Sequence, residues 1–585
     1  MRCFVFSSNR NATHILLAFF FISATIQACN VLAATFIVSS TFDTGAGSLR
    51  SQIAGANATP GADDIIFSIA GTGPFVIQPL TALPTVSDTL TIDGYSQAGA
   101  SPATEATPAT ILIVIDGDLV SSGASGLKIA ASNCMVKGLS IGHFPKSGIY
   151  IENTHSVKIE GNHIGADASG TASMGNFIEG ILLDNAWNNT IGGLSPEKRN
   201  VISGGLNYGV WLGGSSTTGN LIQGNFIGID ATGADPLGNS ICGILFSYAD
   251  NNTIGGSTVD ARNIISGNSN RGIDFFGESN NNVIQGNFIG VNAFGDPCGN
   301  LTSGILFSGQ NDTNNSIGGT NPGEGNTIAF NGSGGIVVFD STSIENTFFS
   351  NSIYANTYSG IGLGSSYGPY LNDPGDTDMG FNNLQNHPVL TLNDPGPPYI
   401  LVDVYLNSAP STNYYFEFFA NEEFDESGFG EGQIYLGYAT STTDVSGETE
   451  FTVFFDPLPE GYSITATATD PAGNTSEFSQ MLPIGDVLNL ECELIPGQLA
   501  LSWSYIPGLS MFWMYGAPEE QYFQPGFESP FDYRIGMHPA GTSVATYPSG
   551  IGDPDWNWTY ILAAIGQYGQ VVSISRRVGQ WDFGM

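Results

Sequence analysis

A chain of 585 residues is too long for one hydrophobic core, so about three domains are expected. Hydrophobic residues make up 41% and charged residues only 11%, with 77 glycines and many Asn, Ser and Thr, a mix that disfavours helices and favours turns and short strands. The 53 acidic against 14 basic residues give a formal charge of −39, which repels phosphate backbones and argues against a nucleic-acid partner, while suiting cations, neutral glycans or a saline exterior.

The first predicted element is an export signal. Arg2 and Arg10 precede an apolar run from Ile15 to Ile26, and the small residues Ala33 and Ala34 follow. The run is short for a membrane span and no later segment approaches one. Residues 1–34 are therefore expected to be removed, leaving Thr35 and the strand TFIVSS at the head of a secreted or cell-surface chain. Lipid attachment at Cys29 is the rival reading, and Gln27 fits it poorly. Four cysteines remain: Cys134, Cys242, Cys298 and Cys492. They are far apart with no CxxC spacing, so they read as small buried hydrophobes rather than zinc ligands.

Next comes GSLRSQIAGA, where Ser48 can start a short helix with Leu49 and Ile53 on one face. The irregular strands IIFSI, FVIQ, TLTIDG and ILIVIDG lead into a repeat. Gly161, Gly224 and Gly286 recur at intervals of 63 and 62, while Ile191, Ile254 and Ile317 recur at 63 and 63. Asn200, Asn263 and Asn326 keep the same period. Within it runs a shorter pattern, Gly-apolar-x-apolar, led by Gly126, Gly148, Gly180, Gly209, Gly243, Gly272, Gly304, Gly335 and Gly360. Alternation over four residues means a strand with one face buried. Short strands and Asn-Gly turns at this spacing predict nine stacked solenoid coils, a rod of roughly 40 Å at about 4.8 Å per coil. The turn residues Asn189, Asn252 and Asn315 are expected to stack as a ladder.

These segments resemble a family of bacterial exported surface proteins with a right-handed parallel β-helix of pectate-lyase-like fold. The likeness lies in FIVSSTFDTGAGSLRSQI, TIDGYSQ, GNFIGIDATG and SYGPYLNDPGDTDMGFNNLQNHPVL, and spans about residues 35 to 480. It implies a GSLR-type N-terminal cap and C-terminal sandwich modules, and speaks to fold more than to activity. After Pro388 longer alternating strands (YILVDVYLN, NYYFEFFAN, IYLGYATST, ETEFTVFF, YSITATATD, SEFSQML) predict an immunoglobulin-like sandwich over 388–485. A fibronectin type III-like module is expected over 486–585, with Trp503 and Tyr560 as core markers. The fold class is thus all-β: a right-handed parallel β-helix over 35–387 followed by two sandwiches, read as spacers or docking units.

Chemistry is expected on the outward positions of the Gly-apolar-x-apolar strands. Tyr150, Trp211, Phe276 and Phe339 offer aromatic faces for sugar rings, with Asp274 among them. Glu152 and Asp184 fall at equivalent positions on adjacent coils, so their proximity should raise one pKa or recruit a cation. With Lys128 nearby they are the candidate catalytic groups of a polysaccharide lyase or glycoside hydrolase. Lys137, Lys146, Lys158 and the histidines His143, His155 and His163 share these early coils. The alternative is that loops such as GIDATGADPLGN fold over this face. Asp373, Asp376 and Asp378 gather hard oxygen ligands suited to Ca²⁺, although their spacing is not that of an EF-hand. The acidic segment EEFDESGFGEGQ reads as a solvated loop. The leading functional reading is a binder of polysaccharide or surface polymers. The enzyme is the alternative, and a structural surface protein the third.

Overall fold

The computed structural model describes residues 33–121, 123–364, 369–393, 399–422, 429–459 and 461–484, together with the backbone of eight strands between 491 and 580. Residues 1–32 of the expected export signal, including Cys29, and Trp503 lie outside the described residues. Three parallel sheets form the walls of a β-helix. Wall 1 has eleven strands from Thr35–Val38 to Thr347–Phe349. Wall 2 has ten, from Phe75–Ile77 to Ser352–Tyr354. Wall 3 has nine, from Leu127–Ile129 to Ile361–Leu363, one for each glycine of the Gly-apolar-x-apolar series.

Those glycines are required by the stacking. A Cβ on Gly180 would lie 2.6 Å from the carbonyl oxygen of Gly209, and one on Gly209 would lie 2.6 Å from that of Gly243. No side chain fits where successive backbones pass so closely. The residue after each glycine points inward: Ile149, Ile181, Val210, Ile244, Ile273, Ile305 and Ile336 are fully buried in one apolar column. Phe246, Phe275 and Phe307 stack beside it with centroids 4.6 and 4.5 Å apart. At the corners, asparagine amides donate from coil to coil. One ladder runs from Asn189 through Asn220, Asn252, Asn282 and Asn315 to Asn346. A second runs from Asn162 to Asn351 and a third from Asn239 to Asn356. Each ladder satisfies amides and backbone groups that burial would otherwise leave unpaired.

Leu49–Ala58 forms the helix expected from GSLRSQIAGA. Ser48 caps it by accepting from the Ser51 N–H, and Leu49, Ile53 and Ala56 join the rod's core. At the other end an antiparallel sandwich begins at Val389. Its sheets are Val389–Leu392, Ile400–Asn407, Glu448–Phe455 and Ile434–Thr442, Asn413–Asn421, Ser463–Thr469, Leu482–Pro483. The expected strand SEFSQML is not regular. Ser476 and Ser479 hydroxyls accept from the N–H groups of Ala468 and Ala466 in place of a backbone ladder.

That irregular segment frees Phe478 to turn into the rod, where with Phe419 it closes the apolar column. The last coil's N–H groups, which a further coil would have bonded, find side chains of the sandwich instead. Glu477 accepts from Leu363 and Tyr370, Glu417 from Ser350, Thr475 from Phe348 and Asn474 from Glu345. Glu431 ends the third asparagine ladder by accepting from the Asn356 amide at 2.9 Å. The expectation that the EEFDESGFGEGQ segment is a solvated loop is therefore corrected at Glu431, which is buried; residues 423–428 lie outside the described residues. The sandwich is a plug as well as a neighbour. Beyond it, the eight C-terminal strands pair antiparallel in two further sheets, with Tyr560 in Trp558–Ile565. Among the described residues no helix is long and apolar enough to cross a membrane.

Candidate functional site

Inside/outside alternation holds along wall 3. In register, the outward row reads Lys128, Tyr150, Leu182, Trp211, Leu245, Asp274, Leu306 and Val337. A second row pairs Glu152 with Asp184. The long loops do not cover this wall. Ile229, Ala231 and Leu237 of GIDATGADPLGN, with Ala166, Ala293 and Cys298 of equivalent loops, pack on Val201, Phe226, Ile264 and Phe288. Those four belong to wall 2, so the loop-covered alternative is corrected: these loops bury wall 2, while the outward row of wall 3 is half-buried at Lys128, Tyr150, Leu182, Trp211 and Leu306 and buried at Leu245, Asp274 and Val337.

The first three strands of wall 3 bring Lys128, Tyr150, Glu152 and Asp184 together. The Lys128 ammonium lies 2.8 Å from a Glu152 carboxylate oxygen and 5.0 Å from the Tyr150 ring centroid. The Tyr150 hydroxyl is 2.8 Å from Glu152 Oε1 and 2.8 Å from Asp184 Oδ2, and Asn185 donates to the other Asp184 oxygen. One hydroxyl carries one hydrogen, so two carboxylates compete for it. The proximity expected from the register is present, but its electrostatic consequence differs. Hydrogen bonds from Lys128 and then Tyr150 pull the Glu152 carboxyl below its usual range, so it is an ionised acceptor rather than a proton donor. Burial, then the two carboxylates, push the Tyr150 phenol upward, which keeps it protonated. The cation that the pair attracts is the chain's own lysine.

Trp211 lies two strands beyond Tyr150 with Leu182 between them. It is half-buried against Tyr208, ring centroids 5.6 Å apart, and its indole N–H has no hydrogen-bond partner among the described residues. Phe276 and Phe339 are exposed, at 56% and 62%. Asp274 is 3% exposed and committed to Arg271 and the Ser308 hydroxyl, so as a ligand contact it is corrected: it holds the wall together. Sequence reasoning passed over Glu179, Tyr208 and Trp187. Glu179 is buried beneath Ser147, which donates to it at 2.7 Å, and burial raises its pKa. Trp187 packs against His155, ring centroids 5.1 Å apart and tilted by 35°, where wall 3 turns toward wall 1. The equivalence of DNAW and ENTH on successive coils was the available signal. Of the other early lysines, Lys137 pairs with Asp93. His163 is buried and its pKa lowered by that burial, a packed residue.

Asp373, Asp376 and Asp378 do converge, each offering an oxygen within 4.8 Å of the others. Asp376 accepts from the Asn386 N–H and the Ser408 hydroxyl, and burial raises it to about 6. Asp373 accepts from the Thr377 N–H and hydroxyl. Asp378 Oδ1 is buried with no hydrogen-bond partner among the described residues, and the three carboxylates together are hard oxygen donors that could hold a cation.

No family model and no curated protein matches this sequence. Among solved structures, the A-module of mannuronan C-5 epimerase AlgE6 from Azotobacter vinelandii matches at 16% identity and a TM-score of 0.26, over 57% of this chain and 100% of that one. Tailspike protein 2 of Escherichia coli O157:H7 bacteriophage CAB120 matches at 12% and 0.25, over 92% and 70%. A two-domain fibronectin type III segment of chicken tenascin matches at 11% and 0.13, over 33% and 98%. Likeness at this level carries no argument about activity.

Proposed function

We propose that this is an exported protein that binds polysaccharide along wall 3, with the sandwiches closing and extending the rod. The observation that carries the reading is the contrast between walls: wall 2 is buried by its own loops, while wall 3 presents Tyr150, Leu182 and Trp211 as one row in register. Aromatic faces two strands apart suit stacked sugar rings, with the ion-paired cluster beside them supplying donors and acceptors for ring hydroxyls. Lys128 neutralises Glu152 and leaves it ionised, which favours holding a sugar over protonating a leaving group. Catalysis by Glu152, Asp184 and Lys128, as a lyase or hydrolase, is the second reading and rests on the convergence of Glu152 and Asp184 on the Tyr150 hydroxyl with Lys128 paired to Glu152.

A panel of neutral and acidic polysaccharides, followed by calorimetry, reducing-end release and the ultraviolet absorbance of unsaturated products, separates these. Binding without turnover supports the proposal. Turnover removed by Glu152→Gln or Asp184→Asn replaces it with the enzyme. Neither binding nor turnover favours a structural surface protein. Within the same reading Asp373, Asp376 and Asp378 are the residues that would hold Ca²⁺, where the ion's chemistry would be to neutralise three carboxylates at the junction of rod and sandwich.

A further inference from the structure

A hollow of ≈ 350 Å³ lies on the outer face of wall 1, around the corner from the Glu152–Asp184 cluster. Its floor is four residues paired strand to strand: Thr91, Met135, Lys158 and Thr190. Its rim includes Asn133, Ser156 and Asn188, turn residues with φ of 59°, 58° and 52° that set their side chains beside the floor. The volume suits a sugar unit rather than a polymer chain.

Two features give the hollow a chemical preference. Among the described residues Lys158 is exposed and makes no ion pair, whereas its neighbours Lys128, Lys137 and Lys198 are matched to Glu152, Asp93 and Glu160. In a chain of formal charge −39 an unmatched cation in a concave setting of mixed polarity is a place where an anion gains. Among the described residues the side chains of Thr91, Thr190 and Asn188 also make no hydrogen bond and face the same space, leaving hydroxyl and amide groups for sugar hydroxyls. His155 and Trp187 are sequence neighbours of the rim residues Ser156 and Asn188, so their contact joins this hollow to wall 3.

We propose that the hollow is a subsite for one acidic sugar residue, its anionic group on the Lys158 ammonium and its ring hydroxyls on Thr91, Thr190 and Asn188. The subsite stands on wall 1 residues and does not require Trp211. The test titrates the full chain with three trisaccharides: an oligogalacturonate, its carboxyl-reduced neutral counterpart and a sulfated analogue. The acidic probe is expected to bind about tenfold more tightly than the neutral one, the worth of one charge-assisted hydrogen bond. Lys158→Ala is expected to erase that preference and Lys158→Arg to keep most of it, while Trp211→Ala leaves it in place. Preference for the sulfated probe, lost in Lys158→Ala, supports the subsite and identifies its anion. Equal affinity for acidic and neutral probes, or a preference that survives Lys158→Ala, overturns the subsite. Loss of all binding in Trp211→Ala with Lys158→Ala unchanged overturns it too, and leaves the wall 3 reading standing.

Discussion

Walls 2 and 3 come from the same coils, yet one lies under its own loops and the other keeps half-buried aromatic and charged side chains along its first four strands. Val201, Phe226, Ile264 and Phe288 on wall 2 lie under loops that repeat with them, and Arg199 and Arg262 stack over Phe226 and Phe288. The rod's far end is covered in the same sense, by Phe478 and the glutamates of the sandwich. Where stability needs closure the chain closes itself. The first four strands of wall 3 carry the half-buried Lys128, Tyr150, Glu152, Asp184 and Trp211, on which none of the wall 2 loops packs, while Leu245, Asp274 and Val337 further along are buried; the binding reading uses those first four strands.

The largest effect should come from opening a covered place. Phe478 is 3% exposed and plugs the apolar column, so Phe478→Ala should cost about 3–5 kcal/mol in chemical denaturation. Phe226→Ala under the wall 2 loops should cost roughly 3 kcal/mol and leave glycan binding unchanged. Wild-type stability in Phe226→Ala would remove the distinction between the walls.

The closure should also depend on pH. Burial raises Glu417 from its ordinary 4.5 to about 7 and Glu477 to about 8. The folded state then holds these protons more tightly than the unfolded chain. Their contribution is fully present below pH 4.5 and is lost as pH rises through 7 and 8. Stability of the rod–sandwich junction should therefore increase on going from pH 8 to pH 5, and Glu477→Gln should flatten the profile. A smaller effect is expected at Asp373, Asp376 and Asp378: chelation should lower the melting temperature by a few degrees, and Asp376→Asn should abolish that sensitivity. An unchanged melting curve would make these carboxylates turn formers only.

The repeat was legible because stacking imposes the same demand on every coil. Gly180 and Gly209 recur where backbones touch, and Asn189 and Asn252 where a buried corner needs an amide. The outward row of wall 3 followed from the same alternation. What the sequence hid depends on closure in three dimensions. Nothing local to GIDATGADPLGN says which wall it folds onto, and Glu417 meets Ser350 across 67 residues of chain. Lys128 was placed near Glu152, but that it would match that charge and depress its pKa required the geometry of the side chains.

The smallest effect on stability carries the most weight for function. Trp211 is half-buried on wall 3, so Trp211→Ala should change stability far less than Phe226→Ala does. The most direct measurement is the affinity of the full chain for its tightest polysaccharide, compared between wild type, Trp211→Ala and Phe226→Ala under conditions where all three are folded. Binding along wall 3 predicts that Trp211→Ala loses roughly 1 kcal/mol while Phe226→Ala matches wild type. Equal affinity in wild type and Trp211→Ala, or a loss confined to Phe226→Ala, would contradict it.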